Sequence, residues 1–328
     1  MRKLLWCLPI LLMSRVLMSQ NKEVVIQCTV FDTNTSKIPD NIIKTVATDL
    51  NDHVWFATGD CFFGGKLVEF NGDVFNGVFK VYDSTNSGLN DRFVTTIFAD
   101  VNNIKWFGTR YHGLYKFDNK SWTNYSPMNS PLPNPHVVSI AQDKNEMLWI
   151  VTEKELSSFD GKTWTIYKSK DMGISYDELY AVAVDKENNK WIATNNGLAK
   201  FDGANWTVFN PLNSKLPNSQ VNYVYCDNSG IVWVVYWSGL IKIENNIWTI
   251  YTSENSGLPK FCNYTLLVDK FNIQWFATSM GVTRNEHGVW NSFMPTNSCV
   301  PSYFVNKIAA DSQNRIWFAT NDGLLMIR

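Results

Sequence analysis

Histidine is rare in these 328 residues. Only His53, His112, His136 and His287 occur, and no His-x-His, His-Glu-x-x-His or nucleophile-elbow pattern sets one beside a partner at a fixed spacing, so the motif-borne metallohydrolase and α/β-hydrolase chemistries have no support. Charge is also scarce, at 18% of residues. Without the first 19 residues the chain keeps 26 basic and 30 acidic side chains, a net −4 that gives nucleic acid nothing to be attracted to. Long apolar runs are lacking too. The stretch from Leu4 to Met13 holds roughly half of the ~20 residues a membrane helix needs, and no later segment is longer. Cysteine is sparse and, beyond Cys7, odd in number: Cys28, Cys61, Cys226, Cys262 and Cys299 leave at least one thiol free or paired between chains.

What is present begins with a secretory pattern. Arg2 and Lys3 precede the Leu4 to Met13 run, and small Ser19 stands before Gln20, so residues 1–19 are expected to be a signal peptide and residues 20–328 the mature domain, exported to a periplasmic or extracellular space without a membrane span. The mature part is rich in tryptophan and built on a repeat. Trp-aromatic/aliphatic-small-Thr occurs at Trp55, Trp106, Trp149, Trp191, Trp233 (where Tyr236 replaces the Thr), Trp275 and Trp317, with spacings of 51, 43, 42, 42, 42 and 42 residues. That period suits a four-stranded propeller blade. Each repeat reads as four short strands: a first ending at an Asp six residues before the Trp (Asp49, Asp100, Asp143, Asp185, Asp227, Asp269, Asp311), the Trp motif, a Gly-Leu-x-x-Phe run closed by an Asp-Gly-like turn, and Trp-x-x-aromatic. An Asp common to all seven repeats is expected to cap its own turn. Burying one Trp removes about 150–250 Å² from water, worth roughly 4–6 kcal/mol before entropy, so the ring of tryptophans is expected to form the packing between blades.

The expected fold is therefore all-β, a seven-bladed β-propeller of four-stranded antiparallel blades. Repeat seven stops after its third strand, whereas residues 24–41 obey the rule of every fourth strand and connector, with an aromatic at Phe31 and an aliphatic seven positions later at Ile38. The N-terminal strand is thus expected to complete the last blade and leave no open edge. The Trp-Phe/Ile-Ala/Gly-Thr, Gly-Leu and Phe-Asp-Gly motifs resemble those of the two-component regulator propeller repeats across residues 24–328. This resemblance implies an outward-facing ligand-recognition module of the kind that forms the extracytoplasmic sensors of membrane histidine kinases, many of which sense oligosaccharides. The chain departs from such sensors in having one propeller and no sandwich, membrane helix or kinase after it.

Departures from the repeat are where function is sought. Trp237 alone among the mature tryptophans is off register, and it follows Tyr236 in the loop between the second and third strands of blade five. The same loop is expanded in blade one, with Asp60, Phe62 and Phe63, carries an insertion in blade two, with Arg110, Tyr111 and His112, and holds Glu153 in blade three. Arg92, His136, Glu178 and Gln220 open the innermost strands at the channel mouth. Exposed aromatics beside planar hydrogen-bonding groups suit a sugar ring, giving a possible oligosaccharide ligand, while a protein partner docking on the loop face, or plain filling of a wide channel, would use the same aromatics. Catalysis is the weaker expectation. His112 and His136 with Glu178 or Asp60 are its only candidates, as base and acid or as metal ligands, and neither a cofactor nor a metal is expected. Among the cysteines a Cys262–Cys299 disulfide is one option, Cys61 pairs with either of these or stays exposed, and Cys28 and Cys226 are expected as buried thiols.

Overall fold

The computed structural model describes residues 26–60, 62–74, 76–174, 178–260 and 263–328. The proposed signal peptide, Cys61 and Cys262 lie outside them. Seven four-stranded antiparallel sheets follow one another around a ring, six built from consecutive strands and the seventh in the order Cys28–Phe31, Gly323–Ile327, Ile316–Thr320, Val305–Ala310. The N-terminal strand does complete blade seven, paired from Cys28 opposite Ile327 to Phe31 opposite Leu324.

Burial explains the composition of each strand. The second strands, such as Trp191 in Lys190–Thr194, are buried at every position, because strands flank them on both edges and blades cover both faces, so they read as continuous apolar runs. The fourth strands, such as Trp206–Phe209, alternate between half-buried and exposed residues, as an outer edge does. Their aromatics join the inter-blade packing, as where Tyr82 of blade one meets Trp122 of blade two edge-on, ring centres 5.6 Å apart.

The repeated Asp has two roles. In blade five, Asp227 Oδ1 accepts the N–H groups of Ser229 and Ile231, each at 2.9 Å, and its Oδ2 accepts the indole N–H of Trp233 at 2.8 Å. The Asp-to-Trp bond recurs in every blade at 2.7–3.1 Å. In blades two and four the residue before the Trp is a buried lysine that reaches the Asp of the preceding blade, Lys105 to Asp49 at 3.4 Å and Lys190 to Asp143 at 3.0 Å. The same turns clasp their neighbours: Asn103 accepts the Leu50 N–H, Asn188 that of Lys144, Asn314 that of Lys270, and Asp52 that of Ser312 across the closure.

A disulfide joins Cys28 to Cys299, 271 residues apart. This corrects the expectation of a free Cys28 thiol and of a Cys262–Cys299 bond. In blades two and six the equivalent fourth-strand residue is a tryptophan packed over a connector glycine, Trp122 over Gly88 and Trp290 over Gly257. In blade seven both members of that touching pair are cysteines. Cys226 is free and half-buried, and burial pushes its thiol well above the usual range.

Candidate functional site

The loops between second and third strands are stitched into a collar around the channel mouth. In blades one to four and seven the loop's first residue donates to the lead-in of its own blade, as in Arg110 N–H to Phe93 O at 3.0 Å and Glu153 N–H to His136 O at 3.1 Å. In blades one, two, six and seven the glycine that ends the loop donates to the lead-in of the next blade, as in Gly65 to Arg92 O at 2.8 Å and Gly113 to Pro135 O at 3.0 Å. The motif Thr closes the loop through its hydroxyl, for example Thr109 to Gly113 O at 2.8 Å. The loop backbone is therefore tied to the lead-ins around the mouth.

Blades one to three bring a group of the expected residues together. Asp60 Oδ1 accepts the Phe62 and Phe63 N–H groups, which hold its carboxyl below the usual range, Phe63 contributing most, and both phenyl rings are 81% exposed. This loop presses on blade two: a Cβ at Gly64, whose φ is +67°, would stand 2.6 Å from the Arg92 Cβ. In blade two, Arg92, Arg110, Tyr111 and His112 are all exposed. Their organiser is Asp91, whose side chain is 2% exposed. It accepts the N–H groups of Phe93, Tyr111 and His112 and lies 3.1 Å from His112 Nδ1. The Arg110 guanidinium sits 5.5 Å from the Tyr111 ring centre, and Phe93 meets that ring edge-on. In blade three, His136 Nδ1 is 3.6 Å from a carboxylate oxygen of Glu153.

Glu178, Gln220 and Trp237 belong to blades four and five, outside this hydrogen-bonded arc. Glu178 accepts the Tyr180 hydroxyl at 3.0 Å. Gln220 is exposed, with its backbone N–H capped by Asn218, and Trp237 is 55% exposed. Tyr236 is not on the surface. It is 2% exposed, packed with Leu216, Val221 and Ile241, and burial raises its hydroxyl pKa. The strand that ends at Tyr236 is covered on both faces, so the ring turns inward over Gly239, where a Cβ would stand 2.5 Å from the Tyr236 hydroxyl.

Sequence reasoning missed Asp91, and it missed Tyr303 and Phe304, which are 39% and 51% exposed at the lead-in of blade seven. Asp91 was legible only as one of the lead-in caps, alongside Asp40, Asn134 and Asn218. Its second oxygen is engaged by the Tyr111 and His112 N–H groups of the blade-two loop, which carries a single inserted residue. Among the described residues no group of three or more His, Cys, Asp or Glu is placed to hold a metal ion, and no helix is long and apolar enough to cross a membrane.

The two component regulator propeller family matches residues 299–322, which run from the blade-seven connector through its second strand. The chain carries a two-component regulator propeller repeat. No curated protein matches it in sequence. Among solved structures it resembles the extracellular domain of the hybrid two component system BT3049 of B. thetaiotaomicron, at 18% identity and a TM-score of 0.75, over 92% of this chain. It spans only 42% of that domain's length. Virginiamycin B lyase from Staphylococcus aureus matches at 14% identity and a TM-score of 0.73, with 92% of this chain and 99% of that one covered. PorZ, a surface component of the type-IX secretion system of Porphyromonas gingivalis, matches at 16% and 0.70, over 91% and 47%. At these identities the likeness establishes the propeller fold.

Proposed function

We propose that the chain is an exported, single-propeller ligand-binding or sensing protein that recognises an oligosaccharide on its loop face, at the channel mouth over blades one to three. The carrying observation is the collar-held cluster of exposed aromatics, Phe62, Phe63 and Tyr111, beside the hydrogen-bonding heads of Arg92, Arg110, His112, His136 and Glu153. Rings of this kind stack on sugar faces while fixed polar heads select hydroxyls, and a rigid scaffold lowers the entropy lost on binding. Export is supported by the basic-then-apolar N-terminal segment and by a disulfide, which persists in oxidising compartments. The resemblance to an extracellular sensor domain and a bacterial surface component agrees with that placement by analogy of fold.

A ligand that binds the folded state raises the melting temperature. Residues 20–328 screened against an oligosaccharide panel should show such a rise. The rise should be lost in Tyr111→Ala and retained in Trp237→Ala. Loss in Trp237→Ala alone would move the site to blade five, and no rise with any sugar would overturn the reading in favour of protein docking across Phe62, Phe63, Tyr303 and Phe304, all exposed near the closure.

A further inference from the structure

Two of the five arginines among the described residues, Arg92 and Arg110, are exposed at this mouth, on segments joined by the Arg110 N–H to Phe93 O bond. The others lie elsewhere: Arg315 is buried against Asp311, Arg284 pairs with Glu286, and Arg328 follows the strand Gly323–Ile327. Neither Arg92 nor Arg110 has an ion-pair partner within 4 Å among the described residues, although the carboxylates of Asp60, Asp91, Glu153, Glu155 and Glu178 stand on the loops and lead-ins of blades one to four. Four of them already have partners. Asp91 is saturated by three backbone N–H groups and His112, Asp60 by two backbone N–H groups, Glu153 faces His136, and Glu178 accepts Tyr180. The Tyr111 ring fixes Arg110, and the blade-one loop, closed on the Arg92 carbonyl by Gly65, fixes the backbone of Arg92. On a mature chain of net charge −4, Arg92 and Arg110 are thus two exposed guanidiniums without an ion-pair partner among the described residues.

We propose that Arg92 and Arg110 form an anion subsite, so that the ligand of this mouth is an acidic saccharide bearing a carboxylate or sulfate. The inference rests on the saccharide reading above and narrows it. A guanidinium offers planar paired donors that match either oxyanion, and the charge-assisted bonds are about twice as strong as neutral ones. The neighbouring aromatic rings take the apolar face of the same sugar.

The test is isothermal titration of residues 20–328 with trigalacturonate, with a sulfated disaccharide and with neutral galactotriose, in wild type, Arg92→Gln, Arg110→Gln and Arg110→Lys. Both arginines are exposed, so the variants should melt with the wild type when no ligand is present. The expected result is binding of an acidic probe at least tenfold tighter than of the neutral one, weakened about tenfold or more by either Gln variant and by raised salt, with Arg110→Lys recovering only part of the loss. The carboxylate and sulfate arms distinguish the two oxyanions. Equal binding of the neutral sugar, untouched by the variants, would overturn the anion subsite and leave the saccharide reading standing. Binding of citrate or sulfate alone, lost in the Gln variants, with no saccharide bound, would keep the subsite and overturn the saccharide reading. No binding of any probe would overturn both.

Discussion

Seven aspartates each join a turn to a tryptophan, and the energetic consequence is local. Removing the Asp227 carboxylate leaves the Ser229 and Ile231 N–H groups and the buried Trp233 indole N–H without their acceptor. Orphaned buried donors cost about 1–3 kcal/mol each, partly relieved by water at the turn, so Asp227→Ala should lower unfolding stability by about 2–4 kcal/mol in denaturant titration. Asp227→Asn should cost less, because its carbonyl can keep the two turn bonds while its amide opposes the indole donor. Equal midpoints for Ala and wild type would refute the assignment. At the loop face, Tyr236→Ala should cost about 3–5 kcal/mol as a core truncation, whereas Trp237→Ala should stay within about 0.5 kcal/mol. The cap role of the Asp was legible from its recurrence. Its bond to the tryptophan six residues on was not, since that depends on hairpin register. Tyr236 was misplaced for a related reason: a strand buried on both faces carries no alternation to say which way its last side chain points.

The N-terminal strand Cys28–Phe31 is the element on which closure depends. Its place was readable because residues 24–41 keep the aromatic-to-aliphatic connector spacing that the other fourth strands show. The disulfide was readable in principle from the same alignment, for Cys28 and Cys299 occupy the positions where Trp122 meets Gly88 and Trp290 meets Gly257. It stayed hidden because position in a strand suggests burial before it suggests a partner in a connector. Cross-linking residues 271 apart constrains the unfolded chain strongly. Loss of such a bond costs about 2–5 kcal/mol, so Cys28→Ser with Cys299→Ser, or reduction by dithiothreitol, should lower the melting temperature. Amide exchange should then speed up first in the Gly323–Ile327 strand, which has Cys28–Phe31 as its outer neighbour. Uniform acceleration around the ring would show instead that blade seven does not open on its own.

At the scale of the ring, blades meet through apolar packing and through a few carboxylates whose charge matters. Burial opposes ionisation of Asp143, yet the Trp149 indole and Lys190 outweigh it and hold the carboxyl below its usual range. Burial likewise works against Asp52, and the Ser312 hydroxyl and N–H, with Arg315 nearby, hold it down. Asp143 joins blade three to blade four, and Asp52 joins blade one to blade seven. A carboxyl whose folded pKa lies below its unfolded value, about 3.9, stabilises the fold fully above that value and loses the contribution as pH falls through the folded pKa. Stability should therefore be flat from about pH 7 to 5 and decline below about pH 4, where protonation weakens the joints between blades. Denaturant midpoints measured from pH 7 to 2.5 test this. Asp52→Asn suits its left-handed backbone, φ 62°, and with Asp143→Asn it should begin with a lower midpoint at neutral pH but fall less steeply in acid. A double variant as steep as wild type would place the acid sensitivity elsewhere than at these two joints.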